Sequence, residues 1–148
     1  MSEKKDYQKF RDKFIKFGDR CDRIENLMLL GMPDVNWCAE GAEVWMEIKS
    51  PTEPKRETTP LFGSNHKLSQ DQKNWFLRQK NAGGIGIILI CTDKRWIYID
   101  ACLWADDLNE MTVRELCTQS IWWDFYPFHH VDQYYMRKII IQKIKMMR

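Results

Sequence analysis

At 148 residues the chain has room for one domain with one core, and 44% hydrophobic and 13% aromatic content excludes disorder by composition. Lys and Arg total 23 against 21 Asp and Glu, a formal charge of +2. That global field is too small to attract a polyanion, so a nucleic-acid partner would have to be met by a local patch.

The opening residues, MSEKKD, read as loose. Tyr7, Phe10, Phe14 and Phe17 then recur at helical spacing, which puts aromatics on one face, with Gly18 as the stop. Residues 19–30 fit helix or strand equally. The Gly31-Met32-Pro33 turn sets the entry of Asp34, expected on a short strand or at its edge. Glu40-Gly41 reads as a hairpin tip, after which Val44, Met46 and Ile48 alternate with Trp45, Glu47 and Lys49. Such a strand sends Glu47 and Lys49 to one face and the aliphatic partners into the core. Residues 51–67 carry three prolines and no periodicity, a long loop and hence a functional suspect. Ser69 caps a helix to about residue 81, with Gln72 at the capping-box position and Gly83-Gly84 at its end. The apolar run IGIILIC (85–91) is a strand buried on both faces, and 95–101 is another. This strand, helix, strand order implies a right-handed crossover in a mixed sheet. A helix over 112–119, an aromatic segment over 122–128 and a final helix over 132–147 complete the chain.

Phosphodiester cleavage needs a cation that polarises the phosphate and lowers the pKa of an attacking water, and hard cations such as Mg²⁺ prefer carboxylate oxygen. A hairpin between Asp34 and Glu47 would bring two carboxylates to one ion, with the Ile48 backbone carbonyl in the same shell. Lys49, on the same face as Glu47, is placed to orient or deprotonate the water, or to stabilise developing negative charge. The bland alternative is a turn-stabilising Asp34 and a solvated strand face.

These residues resemble the PD-(D/E)xK nuclease superfamily, through Pro33-Asp34 and Glu47-Ile48-Lys49. The likeness is nearer to virus-type replication-repair (VRR-NUC) domains, whose G-x-P-D, E-x-K and Q-x-x-W elements appear as GMPDV (31–35), EIKS (47–50) and LSQDQKNWF (68–76). It covers roughly residues 24–92. The resemblance implies a restriction-endonuclease-like α/β fold with a mixed sheet of about four or five strands and extra C-terminal helices. A single nuclease domain over 1–148 is expected, with a catalytic core at about 19–101 and a helical, aromatic extension at 102–148. It also implies Mg²⁺ or Mn²⁺, and breakage at the sugar 3′-oxygen to leave a 5′-phosphate. An Arg-Ile-Glu element (23–25) makes Glu25 a fourth metal ligand or else a surface acid. Gln72 becomes a catalytic residue touching water, lysine or phosphate, or else only the cap of its helix.

Phage and bacterial single-domain members of this kind act as homodimers on branched DNA, which implies Holliday-junction resolution. A monomeric nicking or flap endonuclease is the alternative, and from another class a silent nuclease-derived DNA-binding or assembly module. Candidate DNA contacts are His66 and Lys67 in the loop, Lys73 on the helix after it, and Arg137 and Lys138 in the basic final helix. That helix is read equally as a solvated face opposite an Ile139, Ile140 and Ile144 stripe. The aromatic run from Trp122 reads as core or dimer contact ahead of base stacking. His129-His130 lacks ligand spacing for zinc. Five scattered cysteines without a C-x-x-C pair, and no signal-peptide or membrane-length apolar run, point to a soluble protein of the cytoplasm, or of the host cytoplasm if viral.

Overall fold

The computed structural model describes residues 2–25, 29–63, 66–128 and 133–147. Helix α1 (Glu3–Phe14) starts earlier than the composition of its first residues suggests, because Ser2 accepts the Lys5 N–H and Glu3 and Asp6 complement the helix N-terminus. It also stops earlier. Ile15 takes an extended conformation, Phe17 is fully exposed rather than part of the aromatic stripe, and Gly18 at φ +98° turns the chain into the sheet.

Six strands follow: β1 (Arg20–Arg23), β2 (Val35–Ala39), β3 (Ala42–Lys49), β4 (Gly86–Cys91), β5 (Arg95–Asp100) and β6 (Trp122–Phe125). They pair in chain order, and only β3 and β4 run parallel. Helix α2 (Gln70–Asn81) lies in the crossover between those two, so the mixed α/β sheet expected from sequence is present, with more strands than the four or five anticipated. The extra ones are the edges. β1 (RCDR) buries only Cys21, and the residues of β6 (WWDF) are half-buried or exposed, so neither carries a period-two signal.

Both faces of the sheet are covered. On one, α1 and α5 (Gln133–Met146) pack Phe10, Phe14, Met136, Ile140, Ile141 and Ile144 against Trp37, Met46, Ile48, Leu89 and Trp96. On the other, α2, α3 (Ala101–Trp104) and α4 (Val113–Gln119) cover Trp45, Ile88, Ile90, Ile97 and Ile99. Each such buried side chain contributes about 1.5–3 kcal/mol relative to exposure. Among the described residues no helix is long and apolar enough to cross a membrane.

This layering corrects one expected DNA contact. Arg137 is buried: its Nη1 and Nη2 donate to Asp19 Oδ2 (2.8 Å) and Oδ1 (3.0 Å), Nη1 donates to the Phe14 carbonyl (3.0 Å), and the guanidinium lies over Trp37. It is a clamp between α5 and the turn before β1. Lys138 is exposed on α5, over the sheet face opposite Glu47 and Lys49. His129 and His130 lie outside the described residues.

Candidate active site

Glu47 and Lys49 project from β3 toward the α2 face, in register with Ile88 and Ile90 of β4. Sequence alternation anticipates their common face but not their burial: Glu47 is 3% exposed and Lys49 is 7% exposed. Ile48 between them points its side chain into the opposite core, which leaves its backbone as its only possible contribution to the site. Asp34 immediately precedes β2. The Ile24 N–H donates to the Asp34 carbonyl, which extends the β1–β2 ladder and sets Asp34 beside the C-terminal half of β3.

The G-x-P-D turn has a specific packing reason. Gly31 sits at φ +79°, and a Cβ there would lie 2.2 Å from the Asp71 carbonyl oxygen at the start of α2. The turn bearing Asp34 thus docks directly on the helix bearing Gln72. Gly31→Ala is expected to cost about 2 kcal/mol or more of stability, read by urea denaturation; an unchanged midpoint would contradict this close approach.

Gln72 does two jobs with one amide. Its Oε1 accepts the Ser69 N–H (2.9 Å) and its backbone N–H donates to Ser69 Oγ, a complete capping box. With Oε1 so engaged, Nε2 faces the site and donates to Glu47 Oε1 (2.9 Å). The cap and the site contact are therefore not alternatives; the cap aims the contact. Trp75 and Phe76, one turn along, anchor α2 on the sheet, with Trp75 edge-on to Trp45 at 5.7 Å. Asn109 holds the residue before the cap by bonds to both the N–H and the carbonyl of Leu68.

Lys49 Nζ lies 3.7 Å from Glu47 Oε1, the oxygen Gln72 also contacts. Glu47 Oε2 is buried and has no hydrogen-bond partner among the described residues. Burial first, and then the neighbouring Asp34 charge, push the Glu47 carboxyl up to about 8, with Lys49 opposing. Asp34 is raised as well, by burial and by Glu3, against Arg23 and Lys49. Two buried carboxyls with raised pKa values, one with an orphaned oxygen, form a pocket short of positive charge. That donor set fits a divalent cation. Among the described residues no three His, Cys, Asp or Glu side chains converge on one point, so such an ion would complete its shell with water or backbone oxygen, as Mg²⁺ commonly does.

Glu25 is exposed and acts on Asp34 only as one of the weaker charges around it; it does not close a three-ligand group with Asp34 and Glu47. Sequence reasoning missed Glu3 altogether. From the first turn of α1 its charge raises both Asp34 and Glu47, and His66 Nδ1 lies 3.5 Å from its carboxylate, which brings the loop before α2 to the rim of the site. The Ser2 cap signal was readable, but the approach of α1 to β3 is tertiary. Lys67 is exposed beside His66, and Lys73 is half-buried in the first turn of α2.

No family model and no curated protein matches the chain. Among solved structures, it is similar to Hjc, a Holliday junction resolvase from the archaeal hyperthermophile Archaeoglobus fulgidus. The TM-score is 0.54 at 13% identity, over 77% of this chain and 89% of that one. The restriction-endonuclease-like α/β fold expected from sequence is the fold observed.

Proposed function

We propose that this chain is a metal-dependent endonuclease of PD-(D/E)xK type that hydrolyses phosphodiester bonds in branched DNA. The observation that carries the reading is the orphaned, buried Glu47 oxygen beside Asp34 and Lys49, on a fold shared with a Holliday junction resolvase. A catalytically silent binding module would gain nothing from burying these carboxylates where phosphate must approach.

In this reading Asp34, Glu47 and the Ile48 carbonyl hold Mg²⁺ or Mn²⁺, which when bound supplies Lewis-acid polarisation of the phosphate and a more acidic water. Gln72 Nε2 holds Glu47 by the Glu47 Oε1 and leaves Glu47 Oε2 open. Lys49 offers its ammonium to the charge that grows on the phosphate oxygens as the bond from phosphorus to the 3′-oxygen breaks. Paired symmetric nicks across a four-way junction need two sites, so a homodimer is part of the proposal.

A four-way junction incubated with the protein and Mg²⁺ is expected to be cut, and EDTA to stop the cutting. Failure on junction, flap, duplex and single-stranded DNA alike would sink the nuclease reading. Cutting by a species that gel filtration shows to be strictly monomeric would replace resolution with nicking.

The double role of Gln72 gives a graded test. Gln72→Ala is expected to slow cutting about 10–100-fold, the usual cost of losing a group that orients a metal ligand. Gln72→Glu keeps the cap but sets a carboxylate against Glu47, so it should cut no better than the Ala variant despite a more stable helix. Wild-type rates in Gln72→Glu would remove Gln72 from the site.

A further inference from the structure

The 51–60 segment leaves β3 directly after Lys49 and Ser50 and is pinned at Glu53. The Glu53 carboxylate accepts from Thr92 Oγ1 (2.5 Å) and from Arg95 Nε (3.1 Å), and it pairs with Arg95 Nη2 (3.1 Å). Held this way, the segment forms one wall of a cleft of about 590 Å³, whose other walls are the β4–β5 turn, α4 and β6. Five cations line it, Lys55, Arg56, Lys94, Arg95 and Arg114, against the two carboxylates Glu53 and Glu57. Glu53 is already committed to Arg95. Lys55, Arg56, Lys94 and Arg114 make no ion pair among the described residues, so the positive charge the whole chain lacks is concentrated here.

Trp123 also lines the cleft, half-buried, with the Arg95 guanidinium 5.5 Å from its ring centroid and Phe125 edge-on at 5.0 Å. Sheet register relates this to the candidate active site. Lys49 pairs with Ile90, Ile90 with Ile97 and Ile97 with Trp123, so Lys49 and Trp123 stand in one row on one face. Three strand spacings separate them, about 14 Å.

We propose that this cleft binds a phosphate-bearing nucleotide of a nucleic-acid strand whose neighbouring phosphates reach Lys49. The four unpaired cations hold phosphate, and the base lies against Trp123. Its size suits one ligand unit, since pockets for small ligands run to about 300–1,000 Å³, and a cationic groove with an aromatic is the chemistry that holds single strands. The identity of the strand as substrate rests on the nuclease reading; the cleft's charge and shape do not.

The test is binding of a labelled single-stranded oligonucleotide in EDTA, where no cutting is needed. The cleft variant is Lys55→Ala/Arg56→Ala/Arg114→Ala, and the control is Lys143→Ala/Lys145→Ala on the opposite layer; all five side chains are exposed, so the fold should persist. The cleft variant is expected to bind at least tenfold more weakly and to lose about 2 from the slope of log affinity against log salt, at about 0.7 per phosphate contact. The control should match wild type. Equal loss in both, or no loss in the cleft variant, overturns the proposal. In a second arm, adenosine monophosphate is titrated by calorimetry. Low-micromolar binding that the cleft variant abolishes, with oligonucleotide affinity untouched, would overturn the strand and give the cleft to a free nucleotide. The two readings fail separately. Weakened binding in the cleft variant of a protein that never cuts leaves the cleft standing; unchanged binding in one that cuts removes only the cleft.

Discussion

Glu47→Gln is expected to lower cutting by about 10³-fold or more, equivalent to about 4 kcal/mol of transition-state stabilisation, while raising the melting temperature of the metal-free protein. The two effects share one cause. In the absence of a cation the Glu47 carboxylate is buried beside Asp34, and its pKa is pushed from an ordinary 4.5 to about 8. A carboxyl with a raised folded-state pKa contributes stability that is fully present below about 4.5 and is lost as pH rises toward 8. Metal-free wild type should therefore melt progressively lower between those limits. Glutamine keeps the acceptor for Gln72 and removes the titration, so the variant's profile should be flatter, with a gain of about 5–10 °C at pH 8. Mg²⁺ or Mn²⁺ should raise the melting temperature of wild type at pH 8 and leave the variant nearly unmoved. Thermal scans across pH, with and without metal, read all of this. A variant that melts like wild type at every pH would mean that Glu47 is not the strained group described.

Arg137→Ala is expected to destabilise the fold by about 3–5 kcal/mol, as much as truncating a core aromatic, because it leaves the Asp19 carboxylate buried without its partner. The side chains of both residues are nearly inaccessible, and Asp19 also receives the Trp37 Nε1–H and the Lys16 N–H. Arg137→Lys should recover only part of the loss, since one ammonium cannot reproduce two parallel N–H bonds to a carboxylate and a third to the Phe14 carbonyl. Denaturant titration measures this. A loss below about 1 kcal/mol would indicate an exchangeable surface pair of the ordinary kind.

Arg137 also shows why part of the molecule was unreadable in sequence. A basic run in a terminal helix looks like a solvated or phosphate-binding face, yet residues 137, 140, 141 and 144 share the buried side of α5, with Ile139 only half-buried. Helical spacing could have placed Arg137 there; its partner Asp19, 118 residues away, could not be inferred. The convergence of the candidate site residues was legible for the opposite reason. Asp34, Glu47, Lys49 and Gln72 fall within one stretch where a turn, a hairpin, an alternating strand and a capping box each constrain their neighbours locally. The apolar run 85–91 conveyed that both faces of the sheet are covered, but not that the second cover extends over Glu47 and Lys49. A single alternating strand suggests one dry side and one wet side, so the burial of Glu47 and Lys49, and with it the raised pKa, became apparent only with α2 in place. Glu3 and the cationic cleft escaped for the same reason, since their residues are adjacent only across the sheet.

A sheet whose strands pair in chain order has a kinetic meaning. Every pairing is between strands consecutive in sequence, and all but that of β3 with β4 are antiparallel, so the sheet can grow in chain order with two long connections to close, residues 50–85 and 101–121. During synthesis Asp34, Glu47, Lys49 and Gln72 are all available to assemble once α2 and β4 have emerged, while α5 is still to come. Until α5 arrives, the face around Trp37 and Met46 lies half-bare. The last helix is thus the step that commits the chain, and a nascent or truncated form lacking it would display a formed candidate site above a sticky, aggregation-prone underside.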